Sequence, residues 1–428
     1  MDKPQLKKIL VLSFSFYPDD SPNTYRWKNI LDVWANEGIE IHVVSAQKGQ
    51  FSSYEVANGI EIYRTGKTLF QRFKSKLGNL SDDKIIDKNN NTLNKESLLR
   101  KIYNNTWKKI LWPDWAFLFY KPALKLARRI IKDEDITHLI TVSWPFTDHL
   151  IGYKLKKEFD LFWLAETIDP FSFNEAINNQ KLYFKKNLSI ERKVMEKADS
   201  LVVMTDGIRD KYVSLFPEIL NKINVIHNIY VPEQIEVIPQ NESDTNTIKL
   251  VFMGTLCSEV RSPENLLLLL ERLLTQKLSK KIELHFYGKI KSNIKSFKGY
   301  EDLINDCIFL HGVVPKKEVK SILLESDILI NIGNSNPFQE PSKVIEYIYL
   351  GKPIINMYSI ENDSSKKLLS NYRLNFNINK SEIENEATIK DIIYFINNDF
   401  TIQRSEIDEM VSPYLLDKIQ GEYRNLLN

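Results

Sequence analysis

Short apolar runs that read as strands alternate with amphipathic stretches along this chain, and the alternation occurs twice. "KKILVLSFSF" gives way to a helical pattern through "TYRWKNILDVWANEG" and then to "IEIHVVS". Strand, helix, strand in that order is a βαβ unit, and such units build parallel sheets with helices on their faces. "GIEIYRT" adds a strand, and "THLITVS", "LFWLAE", "SLVVMT" and "INVIHN" resume the pattern. Between them, the polar segment from Lys67 to Glu96, with "DKNNNTLNKES", reads as a loop.

From Val231 to Thr247 the apolar period is lost in "VPEQIEVIPQNESDTNT", the composition of a linker. A second series follows: "IKLVFMG", the helical "PENLLLLLERLL", "IELHFYG", "IFLHGVV", "KEVKSILLES", "DILINIGN" and "KPIINM". At 428 residues the chain exceeds one ordinary core. The expected organisation is therefore an α/β protein with domains at 1–232 and 248–395 joined by a linker at 233–247. A helical segment at 396–428 has no strand to accompany it and is expected to pack back on the first domain.

Hydrophobic residues at 43% and charged residues at 27% describe a globular protein, and a formal charge of +2 argues against a dedicated nucleic-acid binder. Cys257 and Cys307 stand in no metal or redox spacing, so a reducing compartment is expected and a structural disulfide is not. The lysines before the first apolar run mimic a signal peptide, but serines interrupt the run and no small-residue cleavage site follows. It reads as a buried strand. No stretch approaches 18 uninterrupted apolar residues, so a cytoplasmic protein without a spanning segment is expected.

In an open parallel sheet, ligands bind outside the carboxyl ends of the strands. "FQEPSKVIEYIYLGKPIINM" has that address: it follows the strand "DILINIGN", Pro341 suits a first helical turn, and Gly351 with Pro353 stops the helix. Lys343 and Glu346, three apart, share a face near the helix's positive end. Two readings stand: a cation and an acceptor holding two parts of one ligand, or an exposed ion pair worth a few tenths of a kcal/mol. A second constellation, "FMGTLCSEVRSPENLLLLL", ends a strand at Gly254, carries Arg261 in a loop and opens a helix near Pro263. Glycine admits a ligand to the backbone and arginine grips phosphate oxygens bidentately. Neither a Walker loop nor a GxGxxG fingerprint is present.

Together, "FMGTL…RSPENL", "FYG", "HGVVP" and "PSKVIEYIYLGKPII" resemble the donor half of the family-4 glycosyltransferases of the GT-B fold, in their bacterial surface-polysaccharide branch with a Pro-Ser-Lys-x-x-Glu-Tyr signature. "FYPDDSPNTYR", "TIDPF", "IERKVMEKADSLVVMT" and "VIHN" resemble the first half of that branch more loosely. The resemblance covers nearly the whole chain outside residues 67–132. It implies two Rossmann-like domains facing a cleft, and transfer of a sugar from a nucleotide-sugar donor to a glycan or lipid-linked acceptor, such as a capsule or O-antigen precursor, with retention of configuration. Carried over, Glu346 matches the glutamate on the nucleotide ribose, and Lys343 and Arg261 match basic residues near the diphosphate. Gly254 and Ser342 complete the donor-side set, and Asp169 matches the acid of an Asp-Pro-aromatic loop. Relatives with glutamate, seven residues, then glutamate differ here: the earlier position is Phe338, with Glu340 two residues later.

Fixed cations can carry the charge of a departing diphosphate without a metal, and no Asp-x-Asp motif stands ready for a divalent ion; Asp19 and Asp20 are adjacent and belong to a loop. No cofactor or metal is expected. His149 in "SWPFTDHLIGYKL" begins a helix after a first-domain strand and is a candidate catalytic contact beside Asp169, Arg261 and Lys343, while His285 and His311 read as strand residues. Arg26 either faces the diphosphate or is solvated. "NTWKKILWPDWAFLFYKPALKLARRIIK" interleaves aromatic and basic residues, which suits packing on the first domain or a peripheral contact with the inner face of the plasma membrane. Two other functions fit the sequence: a non-catalytic nucleotide-sugar binder or assembly partner, which Phe338 keeps open, and a GT-B sugar-nucleotide epimerase.

Overall fold

Each βαβ run of the sequence becomes part of one of two parallel sheets in the computed structural model, which describes residues 7–49, 51–66, 110–174, 180–232, 246–256, 261–339, 342–398 and 401–428. The loop expected at 67–96, most of the linker, Cys257, Glu340, Pro341 and the side chain of Ser342 lie outside the described residues. The chain divides into two units, Met1–Ile226 with Gln420–Asn428, and His227–Ile419.

The first unit carries β1 (Lys8–Ser13), β2 (Glu40–Ala46), β3 (Tyr54–Ala57), β4 (Ile60–Thr65), β5 (His138–Ser143), β6 (Phe162–Thr167), β7 (Ser200–Val203) and β8 (Ile223–Val225). Their order across the sheet is β3-β4-β2-β1-β5-β6-β7-β8, parallel except for the β3–β4 pair. Its helices are α1 (Pro22–Asn36), α2 (Tyr120–Asp133), α3 (Thr147–Lys156), α4 (Gln180–Lys197) and α5 (Asp206–Leu215). α1 begins where Ser21 accepts from the Thr24 amide and Pro22 occupies the first turn, two devices that satisfy or remove orphan donors. β1 is covered on both faces, with Ile9, Leu10, Val11 and Leu12 all at 0% exposure, which is why it reads as a continuous apolar run.

The second unit carries β9 (Thr247–Met253), β10 (Lys281–Tyr287), β11 (Ile308–Gly312), β12 (Ile328–Ile332), β13 (Ile354–Tyr358) and β14 (Asn375–Asn379), ordered β11-β10-β9-β12-β13-β14 and parallel throughout. Its helices are α6 (Glu264–Leu274), α7 (Lys316–Glu325), α8 (Ser342–Tyr349), α9 (Ser364–Leu369), α10 (Glu386–Asn397) and α11 (Arg404–Val411); the last helix of the chain is α12 (Leu416–Leu427). Alternate residues of β9 serve two cores: Ile248, Leu250 and Phe252 pack with α6 and α10, and Val251 and Met253 with α8.

The C-terminal segment, expected to pack back on the first domain, is divided between the units at Gln420, with Gln420–Asn428 grouped with the first. Ile407, Val411 and Tyr414 are buried in the core around α8, and the Tyr230 amide donates to the Tyr414 carbonyl at 2.7 Å, so residues from His227 onward pair with this stretch. The last turns of α12 group with the first unit through Tyr423. Its hydroxyl donates to the buried Glu166 on β6, which also accepts from Arg26 Nε at 2.9 Å and from Trp27 Nε1. Arg26, 3% exposed, is thus neither solvated nor turned towards a ligand: it closes a satisfied buried ion pair, a kind whose disruption strands a charge.

The aromatic and basic segment resolves towards packing from Asp114 onward. Trp115 and Phe119 meet Phe14 edge to face at 4.7 and 5.2 Å, and α2 buries Ala123, Leu124, Ala127, Ile130 and Ile131. Among the described residues no helix is long and apolar enough to cross a membrane.

Candidate active site

A parallel sheet opens a crevice where the strand order reverses direction. In the second unit that point lies between β9 and β12, neighbours whose following loops diverge towards α6 and α8. Four of the residues singled out in the sequence lie on the segments that follow these two strands. Gly254 closes β9, its amide donating to the Tyr287 carbonyl at 2.9 Å, and a Cβ added to it would lie 3.9 Å from Arg261 Nη1. Arg261 Nη2 donates to Asn334 Oδ1 at 2.9 Å, which ties the β9 loop to the β12 loop. Tyr347 on α8 is buried against the end of β9, its hydroxyl 3.4 Å from the Met253 carbonyl. Burial and the Glu346 charge push that phenol up, while Arg261 pulls it down, so both charged groups bear on the same ring.

Lys343 Nζ lies 3.9 Å from Glu346 Oε2, with both side chains partly exposed. This is the ion pair that the spacing allows. At that length it is no hydrogen bond, and an exposed pair of this kind contributes less than about 1 kcal/mol. Lys343 is therefore held loosely enough to exchange its partner for an anion at the start of α8.

Two residues that the sequence reading passed over organise this crevice. Asn334, 1% exposed, accepts from Arg261, donates to the Gln339 carbonyl at 3.1 Å, and its own amide donates to Asp363 Oδ2 at 3.1 Å. Asp363 also caps α9 through the Lys366 amide, and burial raises its carboxyl, an effect that the amides of Lys366, Ser365 and Asn334 oppose. The carboxylate reaches Asn334 only because residue 333 is glycine: a Cβ there would stand 2.5 Å from Asp363 Oδ2. The Asp-Ser-Ser step before a helical pattern is a visible N-cap signal; nothing local marks its second partner.

In the first unit the order reverses at β1, between β2 and β5. The Phe14 amide donates to Asp148 Oδ2 at 2.8 Å, joining the loop after β1 to α3, and Lys48 pairs with Asp19 at 2.5 Å and donates to Ser15 Oγ at 2.7 Å. Asp19 and Asp20 do lie in a loop. Asp148 and Asp114 are fully buried, and burial raises both carboxyls. Asp169 follows β6 and is half-buried; just beyond it, Glu191 fixes the loop by accepting the Phe171 and Ser172 amides, each at 3.0 Å.

His149 is 1% exposed, with Nδ1 2.7 Å from Thr141 Oγ1 and Nε2 3.2 Å from Thr167 Oγ1. Burial lowers it to about 3, so the ring is neutral and links β5, β6 and α3. Between pH 6.5 and 3 the unfolded chain takes up a proton that the folded chain refuses. The stability this ring contributes is complete above pH 6.5 and is lost as pH falls, at about 1.4 kcal/mol per unit. Urea melts at pH 6.5 and 5 should differ by about 2 kcal/mol more in the wild type than in a His149→Asn variant; equal pH dependence would show that the imidazole is not held neutral.

No family model matches the chain, and no curated protein matches it. The α/β architecture with two parallel sheets is the GT-B fold of solved glycosyltransferase structures. A glycosyltransferase from Rickettsia africae is 14% identical over 99% of this chain and 98% of its own, with a TM-score of 0.59. HepE of Anabaena, solved in complex with UDP, is 11% identical over 98% and 99%, with a TM-score of 0.62. The lipopolysaccharide outer core galactosyltransferase WaaB is 12% identical over 98% and 99%, with a TM-score of 0.59.

Proposed function

We propose that the protein is a glycosyltransferase that moves a sugar from a nucleoside diphosphate sugar to a glycan or lipid-linked acceptor. The observation that carries this reading is the crevice between β9 and β12, where Arg261, beside Gly254, bonds Asn334, and where Arg261 and Glu346, the latter close to Lys343, both act on the Tyr347 phenol. Glu346 accepts the ribose hydroxyls. Lys343, Arg261 and the amides at the start of α8, where Ser342 begins the helix, receive the diphosphate. As the bond from the anomeric carbon to the phosphate oxygen breaks, charge builds on the departing diphosphate, and fixed cations lower the barrier by meeting it there. HepE, similar in fold, holds UDP. Retention of configuration and a role in surface polysaccharide synthesis rest on the sequence resemblance; WaaB, by its name, acts in a comparable process.

Asp169 belongs to the acceptor side in this reading, and His149 acts by positioning, since its ring is enclosed. An inner-membrane face has support in a group of exposed apolar side chains, Ile110, Leu182 and Phe184, beside Lys185 and Lys186, whose ammonium lies 3.6 Å from the Trp112 ring centroid. A thermal-shift screen of nucleoside diphosphate sugars tests the donor claim: one or more should raise the melting temperature. Transfer should also persist in excess chelator, because side chains supply the leaving-group charge. Abolition by chelator with recovery on adding magnesium or manganese would contradict it.

A further inference from the structure

At the amino-terminal edge of the first unit's sheet, opposite the strand ends that lead to Asp148 and Asp169, one buried imidazole is surrounded by carboxylates. The register sets Lys8 beside Glu40, Leu10 beside His42, and His42 beside Glu61, so these side chains share one face. α2 ends over that edge at Glu134, where Asp135 turns the chain with φ 51. His42 is 0% exposed. Its Nε2 lies 3.1 Å from Glu40 Oε1; its Nδ1 makes no hydrogen bond and faces Glu61 Oε2 at 3.7 Å. One donor atom each from Glu40, His42 and Glu134 lies within 4.8 Å of the other two.

Three carboxylates gather around this ring, and the lysine paired among them is Lys8, 3.1 Å from Glu40 Oε2. Glu61 is fixed from behind by the Tyr63 hydroxyl at 2.5 Å and the Tyr54 hydroxyl at 3.4 Å. A histidine whose second nitrogen faces a carboxylate is the usual outer arrangement of an imidazole metal ligand, since that carboxylate fixes the tautomer and raises the basicity of the coordinating nitrogen. We propose that this edge binds one divalent cation of zinc-like character through His42 Nε2, Glu40 and Glu134, with Glu61 as the partner of Nδ1. Donor atoms around tetrahedral zinc stand roughly 3.3 Å apart, so the carboxylates close in modestly on binding, and Glu40, partly exposed, leaves a path for the ion and room for a water ligand. A mixed nitrogen and oxygen set favours zinc over magnesium or calcium. The cation fastens the end of α2 to β2; it takes no part in sugar transfer.

The test uses the untagged full chain, stripped with chelator, dialysed and titrated with zinc chloride in a calorimeter, with melting curves alongside. One equivalent should bind and raise the melting temperature. Glu134→Gln, at a helix end, should weaken binding at least 100-fold without loss of fold, His42→Asn should remove it, and Glu61→Gln should weaken it about 10- to 100-fold. Transfer by these variants below their melting temperatures should match the wild type. Absence of stoichiometric binding would overturn the site. So would undiminished binding by Glu134→Gln and His42→Asn, which would move the ion elsewhere, for example to the His285 and His311 pair, 2.9 Å apart. A nitrogen-15 spectrum showing His42 as an imidazolium held by Glu40 and Glu61 in the presence of excess zinc would also overturn it.

Discussion

Glu346→Gln is expected to weaken nucleotide binding itself, raising the dissociation constant for the nucleoside diphosphate about 10- to 100-fold. The substitution keeps the shape of the side chain and replaces a charged acceptor by a neutral one, and a charge-assisted hydrogen bond contributes roughly 1.5–3 kcal/mol. Loss of the Lys343 contact itself should cost little stability, because that contact spans 3.9 Å at a partly exposed position. The Tyr347 phenol, raised by burial and then by the Glu346 charge, should lose the smaller of these two effects. Calorimetry with the nucleoside diphosphate checks the first effect and urea melts the second. A variant that binds as tightly as wild type would mean that Glu346 holds no ribose.

Lys343→Met and Arg261→Met should act differently, lowering turnover more than donor affinity. In the proposed reaction both cations meet a diphosphate that is more negative in the transition state than in the bound donor, and removing one such group costs about 100- to 1,000-fold in turnover. The two variants are separable by stability. Lys343 has a loose partner, whereas loss of the Arg261 guanidinium strands the buried Asn334 carbonyl oxygen, at a cost of about 1–3 kcal/mol. Turnover numbers and melting temperatures measured together distinguish a charge effect from a collapsed β12 loop. Wild-type turnover in both would mean that α8 and the β9 loop hold no donor.

The sheets were legible because most of their strands are buried on both faces and read as apolar runs, as in "KILVLS" and "DILINI". The two strands that escaped notice lack that signature. β3, "YEVA", is an edge strand half open to solvent, and its one local signal is the Asn58-Gly59 pair, with φ of 53 and 78, a tight hairpin turn that leads into β4. β14, "NFNIN", sets asparagine at alternate positions, where Asn377 meets the Asn356 amide at 2.7 Å across the sheet, a pairing that no propensity scale rewards.

The crevice residues were legible for a different reason. Helix periodicity put Lys343 and Glu346 on one face, and strand ends gave Gly254 its address. Tertiary partners were not. That Arg26 would be spent on Glu166 depends on a tyrosine near the far end of the chain, and that His149 would be sealed between Thr141 and Thr167 depends on how β5 and β6 pair. Neither separation is visible to a local pattern. The same holds for Asn334 and Asp363, which meet through a gap that only Gly333 leaves.

The most direct test is release of nucleoside diphosphate from a panel of nucleotide sugars, followed with and without an extract of glycan and lipid-linked acceptors, for the wild type and Lys343→Met. Acceptor-dependent release from at least one donor, with the sugar recovered on the acceptor and the rate at least 100-fold lower in the variant, is the result predicted. Tight binding of a donor without release under any acceptor condition would contradict transfer and leave a nucleotide-sugar binding protein on the same fold.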